Sequence, residues 1–587
     1  MNFDPTLRDD RQIAEHAESA MRDISAVGRA FGLEAGEIIP AQRGIAKIDA
    51  ARVMTRTGGV KRGLYVDVTA ITPTPLGEGK TTTTIGLVQG LGRLGLRAAA
   101  AIRQPSAGPT FNIKGSAAGG GWSQCVPAAP LSLGFTGDID AVTNAHNLGM
   151  VALTARMQHE ANYDNARLQR IGWRRLDIDP ERVQTRWAMD FCAQALRQIR
   201  IGLGGSNDGL EMASGFQISV SSELMAILAV ARDLADVRNR VARMVLAYDR
   251  RGREVTAHDL EVDGAMTAWL VNAVNPNMIQ TIEGQPVFVH AGPFANIAIG
   301  QSSILADRVG VALGDALVTE SGFGSDIGYE KFWNLKCRKS GLTPDAVVIV
   351  ATVRALKMHG GGPEVKPGKK LDEAYTRENL ALLEQGFANL AAHIAIVRRS
   401  GIRPVVCIND FHTDTPAEHR LLIRRVEQEG ALCAVSRHWK YGGDGARDLA
   451  EAVRQAASEP KSFRFLYDMD LPVRDRIDRI AREVYGAGGV TYTPEAEARM
   501  AALDGDPATR ELGLCMVKTH LSLSHDPARK GRPAGWMLPV RDVMVFRGAG
   551  FLVPITGEIR LMPGTGSNAN FRRIDVDVNT GRVTGLM

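Results

Sequence analysis

The sequence predicts an α/β protein built around a largely parallel sheet. A strand, a glycine-rich loop, a helix and a second strand follow one another between Leu64 and Arg103, the opening of a βαβ unit. Apolar, β-branched runs recur between helical patterns further along. The length of 587 residues, 44% of them apolar, leaves room for three or more domains of roughly 100–200 residues, each with its own core. A small module and a mostly disordered chain are excluded.

Residues 11–50 read as helical, with a break at Gly32. Leu64–Ile71 alternates and is β-branched, a strand; Lys80–Leu94 has helical spacing; Arg97–Arg103 is a buried strand. Strand-like runs return at Val287–His290, Ala346–Thr352 and Pro404–Asn409. Between the last two, Leu383, Phe387, Leu390, Ile394 and Val397 mark one face of a helix, with Thr376 as its expected N-cap and Gly401 and Pro404 at its end. A polar Gly/Pro-rich loop spans Gly360–Lys370, a linker is expected at Ala457–Ser462, and a charged helix at Asp470–Tyr485. No fixed-period repeat is present. The expected division is 1–320, 321–460 and 461–587.

Composition narrows the function. Lys and Arg number 70 against 65 Asp and Glu, a net charge of +5 with no block of like charge, so neither nucleic acid nor an anionic membrane is an expected partner. Apolar runs such as Asp345–Leu356 carry charges and fall short of the roughly 18–20 residues of a membrane span. The opening stretch MNFDPTLRDD has no signal character, and the expected location is the cytoplasm. Six scattered cysteines form no C-x-x-C, which argues against structural zinc and a disulfide framework. The 62 glycines exceed the roughly 7% norm and suggest backbone held close to a ligand.

The chemistry is written first at Thr72–Thr84, TPTPLGEGKTTTT. A Gly-rich loop after a strand and before a helix turns backbone N–H groups and the helix N-terminus toward phosphate oxygens. Thr74, Pro75, Leu76, Gly77, Glu78, Gly79, Lys80, Thr81 and Thr82 are the nucleotide-binding candidates. Lys80 is placed to reach the β- and γ-phosphates and the Thr81 hydroxyl to hold Mg²⁺. Thr74 stands where the usual pattern has its first glycine. This loop makes the large domain P-loop NTPase-like, binding ATP or GTP.

Arg103 ends the second strand, and in open α/β sheets ligands sit beyond the carboxyl ends of strands. A guanidinium there can take a carboxylate or acyl phosphate in two parallel hydrogen bonds. Gly115, Gly119, Gly120 and Gly121 follow it and admit close backbone approach. Phe411 and Trp439 each follow a strand-like segment and could clamp a flat heterocycle; two ordinary core aromatics is the competing reading.

The blocks TPTPLGEGKTTTT, RQPSAGPTFNIKGSAAGGG, FTGDIDAVTNAHNL, NPNMIQTIEGQPVFVHAGPFANIA, KCRKSGLTPDAVVIVATVRALKMHGG, LPVRDRIDRIAREVYGA and SLSHDPARKGRP together resemble the formate–tetrahydrofolate ligase family from about residue 25 to the C-terminus. The resemblance implies a homotetrameric cytoplasmic enzyme of one-carbon metabolism. ATP phosphorylates formate to formyl phosphate, and tetrahydrofolate attacks it to give 10-formyltetrahydrofolate, ADP and phosphate; the reverse direction recovers ATP. It further implies that Arg103 holds formyl phosphate, that Phe411 and Trp439 sandwich the pterin, and that Gln104 and Asp138 belong with Lys80 and Arg103 to the catalytic set.

Several motif positions depart from the family pattern. Gln104 replaces a glutamate, so an amide that cannot act as a base stands beside the acyl phosphate, and a monovalent cation loses a carboxylate partner. Gly134 and Asp140 replace two histidines, Ile299 replaces another although His290 remains, and Asp410 reverses an arginine beside the pterin clamp; Thr565, Gly566 and Ser567 alter a C-terminal motif. These changes leave open a paralogue acting on another small carboxylate or acceptor, and a non-catalytic nucleotide- or folate-binding scaffold.

Overall fold

A computed structural model of the protein describes residues 4–107, 118–294, 296–557 and 560–586. The centre is a 12-stranded sheet. In chain order its strands are β1 (Ile38–Gln42), β2 (Ile45–Ile48), β3 (Leu64–Ala70), β4 (Ala98–Ile102), β5 (Gly119–Gly120), β6 (Ser123–Val126), β7 (Asn277–Thr281), β8 (Pro286–Val289), β9 (Ala316–Glu320), β10 (Ala346–Ala351), β11 (Pro404–Asn409) and β12 (Leu432–Ser436). The main path runs β1-β2-β7-β8-β4-β9-β3-β10-β11-β12, with β5 and β6 attached beside β7. From β8 to β12 every neighbour is parallel; the β1, β2 and β7 side is antiparallel.

Parallel strands covered on both faces need apolar residues at every position, and β4 (AAAAI) and β10 (AVVIVA) are buried throughout. The alternation in β3 does not mark a wet face. Asp67 and Thr69 are fully buried, and Asp67 accepts from Ser321 Oγ at 2.7 Å and from Gln301 Nε2, while burial raises its carboxyl pKa to about 7. The sheet continues across the boundary expected at 320, because β3 lies between β9 and β10.

The expected run of helix over 11–50 is corrected. Helices Asp10–Glu18 and Ile24–Phe31 form and Gly32, at φ +114°, ends the second, but 38–48 is the β1–β2 hairpin. Helical spacing there is outweighed by pairing of β2 with β7. Leu380–Arg399 is the predicted helix, long and apolar enough by composition to cross a membrane, yet its Leu383, Phe387, Leu390, Ile394 and Val397 are packed in the core. Its cap is Asn379, whose side chain accepts from Leu382 N at 3.0 Å; Thr376 instead closes a short helix, Glu373–Thr376. The charged helix expected at 470–485 is Val473–Arg479 followed by a wider π-helical turn, Ile480–Val484.

Outside the main sheet, Ile178–Val183, Val245–Asp249 and Glu254–Thr256 form a three-stranded sheet. Gly513–Leu514, Asp542–Phe546 and Phe551–Ile555 form another in the C-terminal part. Five of the six cysteines are buried and Cys433 is half-buried.

Candidate active site

The phosphate loop, Arg103, Phe411 and Trp439 all follow carboxyl ends of parallel strands: β3, β4, β11 and β12 respectively. The loop is held from beneath. His393 Nε2 accepts from Thr72 N at 2.9 Å, and Asn389 Nδ2 donates to Thr72 Oγ1 at 3.0 Å. Glu78, a nucleotide-binding candidate, turns inward and is buried; its carboxylate accepts from Thr74 N at 2.6 Å and from Thr352 Oγ1. Asn409 Nδ2 donates to Glu78 O at 3.1 Å and Arg354 Nη2 to Gly77 O at 2.9 Å, so the ends of β10 and β11 hold the loop. Thr74 is buried, whereas Pro75, Leu76 and Gly77 form an exposed crown.

Gly79 caps the helix Lys80–Arg93 with φ +75°, and a Cβ there would lie 2.7 Å from Asn409 Nδ2. Only glycine meets both demands cheaply. Lys80, Thr81 and Thr82 then open the helix, where unpaired N–H groups and the helix dipole favour an anion.

Glu320, closing β9, connects the charged residues. Thr81 Oγ1 donates to Glu320 Oε2 at 2.8 Å. Burial lowers the Lys80 pKa, Glu320 opposes that shift, and the nearby Arg103 charge adds to it. Burial likewise lowers Arg103, again opposed by Glu320. The Arg103 guanidinium lies along Gly322, where a Cβ would come within 2.9 Å of its Nη2. Lys80, Arg103 and Arg354 set against the Glu320 and Glu78 carboxylates, together with a helix N-terminus, leave local positive charge suited to a polyphosphate or acyl phosphate. Glu320 is absent from the sequence-derived set, although an acid closing the apolar run ALVTE was a usable signal. Thr352, Arg354 and Asn409 carried no such signal.

The remaining predicted residues are placed differently. Gln104 is buried, with its N–H donating to Ala291 O at 2.8 Å. Asp138 opens the helix Asp138–Asn162 and is fully engaged: Lys47 Nζ lies 2.7 Å from Oδ1 and Asn277 Nδ2 donates to Oδ2 at 2.7 Å. No contact joins it to Lys80 or Arg103 among the described residues. Asp140 and Gly134 are exposed, Ile299 is core, and His290 bridges Ser303 Oγ and Ala273 O at 2.7 Å each, with burial lowering its pKa to about 4. Gly115 lies outside the described residues. Gly360 and Gly442 are required by packing: a Cβ at Gly360 would meet Leu382 O at 1.9 Å, and one at Gly442 would meet Glu283 Oε1 at 2.5 Å.

Both clamp aromatics have fixed backs. The Arg354 guanidinium sits 4.9 Å from the Phe411 ring centroid while also bonding Gly77 O, which ties this ring to the phosphate loop. Trp439 lies on Gly120 and Gly121; a Cβ at Gly121 would come within 2.7 Å of the indole, and Trp122 N donates to Trp439 O at 2.8 Å. Asp10, from the first helix, accepts from Gly121 N at 2.8 Å and hydrogen-bonds the Trp439 side chain. No direct ring contact joins Phe411 and Trp439.

A family model described as formate–tetrahydrofolate ligase matches residues 8–587. A formate–tetrahydrofolate ligase of Dehalococcoides mccartyi is 61% identical over 585 residues, spanning 100% of this chain and 98% of the relative. Proteins of the same name from Desulforapulum autotrophicum and Desulfosudis oleivorans are 59% and 56% identical, each over the whole of both chains.

Proposed function

The chain belongs to the formate–tetrahydrofolate ligase family, and we propose that it performs the reaction this name states, joining formate to tetrahydrofolate with ATP cleaved to ADP and phosphate. The observation that carries the site assignment is Lys80 and Arg103 grouped around Glu320 at the mouth of the phosphate loop. On this reading the large domain is P-loop NTPase-like, and the assembly is a cytoplasmic homotetramer, as the sequence resemblance implies.

In the first step a formate oxygen attacks the γ-phosphorus and ADP leaves. Lys80 and the N–H groups opening the Lys80–Arg93 helix hold the phosphate oxygens as charge redistributes. The Thr81 hydroxyl and the Glu320 carboxylate are an oxygen pair of the kind Mg²⁺ accepts, and they fit as its holders. Mg²⁺ bound there would neutralise charge on the nucleotide phosphates.

Arg103 then orients formyl phosphate, and the aryl amine of tetrahydrofolate attacks its carbonyl carbon. The C–N bond forms, the C–O bond to phosphate breaks, and the amine proton departs with the phosphate, a stronger base than the amine. Neutral Gln104 needs no basic role in that scheme, and no step is assigned to a monovalent cation. Phe411 and Trp439 receive the pterin, each supported from behind by Arg354 or Gly120–Gly121.

Omission assays test the proposal. ADP release is expected only with formate and tetrahydrofolate together, and Lys80→Ala is expected to lose it. Background turnover in the complete mixture refutes the reading.

A further inference from the structure

We propose that Asp410, Asp414 and His419 form a site for one divalent ion of the zinc class, separate from the Thr81–Glu320 pair. The three side chains come from the turn after β11 and the helix that follows it, Pro416–Gln428. Their donor atoms all lie within 4.8 Å of one another. His419 is only 8% exposed, and its Nε2 is buried with no hydrogen-bond partner. That nitrogen faces Asp410 Oδ1 at 3.3 Å and Asp414 Oδ2 at 3.8 Å. A tetrahedral ion with bonds of about 2.0–2.1 Å separates its ligands by roughly 3.3–3.4 Å, so small shifts suffice to seat one.

The surroundings suit ligation. Arg437 Nε donates to Asp410 Oδ2 at 3.0 Å, leaving Oδ1 toward the histidine. Phe411 N donates to Asp414 Oδ2 at 3.0 Å. Hydrogen bonds of this kind orient carboxylate ligands. Two carboxylates offset by one guanidinium leave a net charge of −1, which attracts a dication without fully neutralising it, and the nitrogen donor favours zinc or cobalt over magnesium, calcium or manganese. Asp410 stays 21% exposed at its side chain, which leaves a route for the ion and for a water as fourth ligand.

Asp410 replaces the arginine expected from the family pattern, and with arginine there the site could not exist. Phe411 stands between two of the proposed ligands, and Asp414 N already donates to Phe411 O at 2.9 Å. Occupancy would stiffen that turn and make Asp410, Asp414 and His419 positioning residues for the Phe411 ring.

The test uses the full chain, stripped of metal by a chelator and titrated with Co²⁺ without nucleotide. Wild type and Glu320→Gln are expected to bind one Co²⁺ per chain with the visible absorption of tetrahedral cobalt, and Zn²⁺ to displace it. Asp410→Asn and His419→Gln are expected to bind at least tenfold more weakly. If one variant fails to fold, the other decides. Absence of a tetrahedral band in wild type, or affinity unchanged in a folded variant, overturns the site. In particular, a protonated His419 merely paired with the carboxylates gives no band.

Discussion

Gly79→Ala attacks the phosphate loop without removing any functional side chain. At φ +75° an alanine costs about 1–2 kcal/mol. Its Cβ would also sit 2.7 Å from Asn409 Nδ2, displacing the 3.1 Å hydrogen bond to Glu78 O, worth about 1 kcal/mol. A total of ~2–3 kcal/mol corresponds to roughly 30- to 150-fold in kcat/KM for ATP. Steady-state ADP formation at saturating formate and tetrahydrofolate measures it, and ATP is the substrate whose KM should move. Asn409→Ala supplies the control: with the contact relieved, the double variant should be no worse than Gly79→Ala. An unchanged kcat/KM for ATP, or strictly additive losses, would refute this account of the loop.

In Glu320→Gln the carboxylate opposing the burial-driven fall of the Lys80 pKa is gone. Activity that needs cationic Lys80 is lost as pH rises through that pKa, so the alkaline limb of kcat/KM for ATP should move to lower pH; a limb that stays or moves upward contradicts the assignment. Asp10→Ala removes the acceptor shared by Gly121 N and Trp439, and is expected to raise KM for tetrahydrofolate about fivefold, or ~1 kcal/mol, leaving the ATP KM unchanged. His290, His359, His393 and His438 are all pushed by burial to about 4. Because an unfolded histidine takes its proton near 6.5, their stabilising contribution is complete above that pH and is lost as pH falls toward 4, by up to about 1.4 kcal/mol per histidine per pH unit. Thermal melts should show that decline, and a flat melting temperature between pH 6.5 and 4 would count against it.

The phosphate loop was legible because its strand, glycines, lysine and helix are contiguous, and local chemistry dictates that conformation. The parallel strands β4, β8, β10 and β11 were legible for a related reason: burial on both faces leaves a nearly unbroken apolar run, whereas β9 was not picked out. The β1–β2 hairpin was not, since its register is fixed by β7, more than two hundred residues downstream. Asp10 touches Trp439 only after the first helix docks against β6, a contact no local pattern announces. The departures from the family pattern separated only in three dimensions. Ile299 fills core and Asp140 faces solvent, whereas Asp410 meets His419 across a turn.

Transfer of ¹⁸O from labelled formate tests the central claim most directly. If formate attacks the γ-phosphorus at the Lys80 and Arg103 site, one formate oxygen must leave in the phosphate when tetrahydrofolate takes the formyl group. Mass spectrometry of the released phosphate should then show one ¹⁸O per 10-formyltetrahydrofolate formed, with both products lost in Lys80→Ala. Product accompanied by unlabelled phosphate, or labelled phosphate undiminished in that variant, would contradict the account.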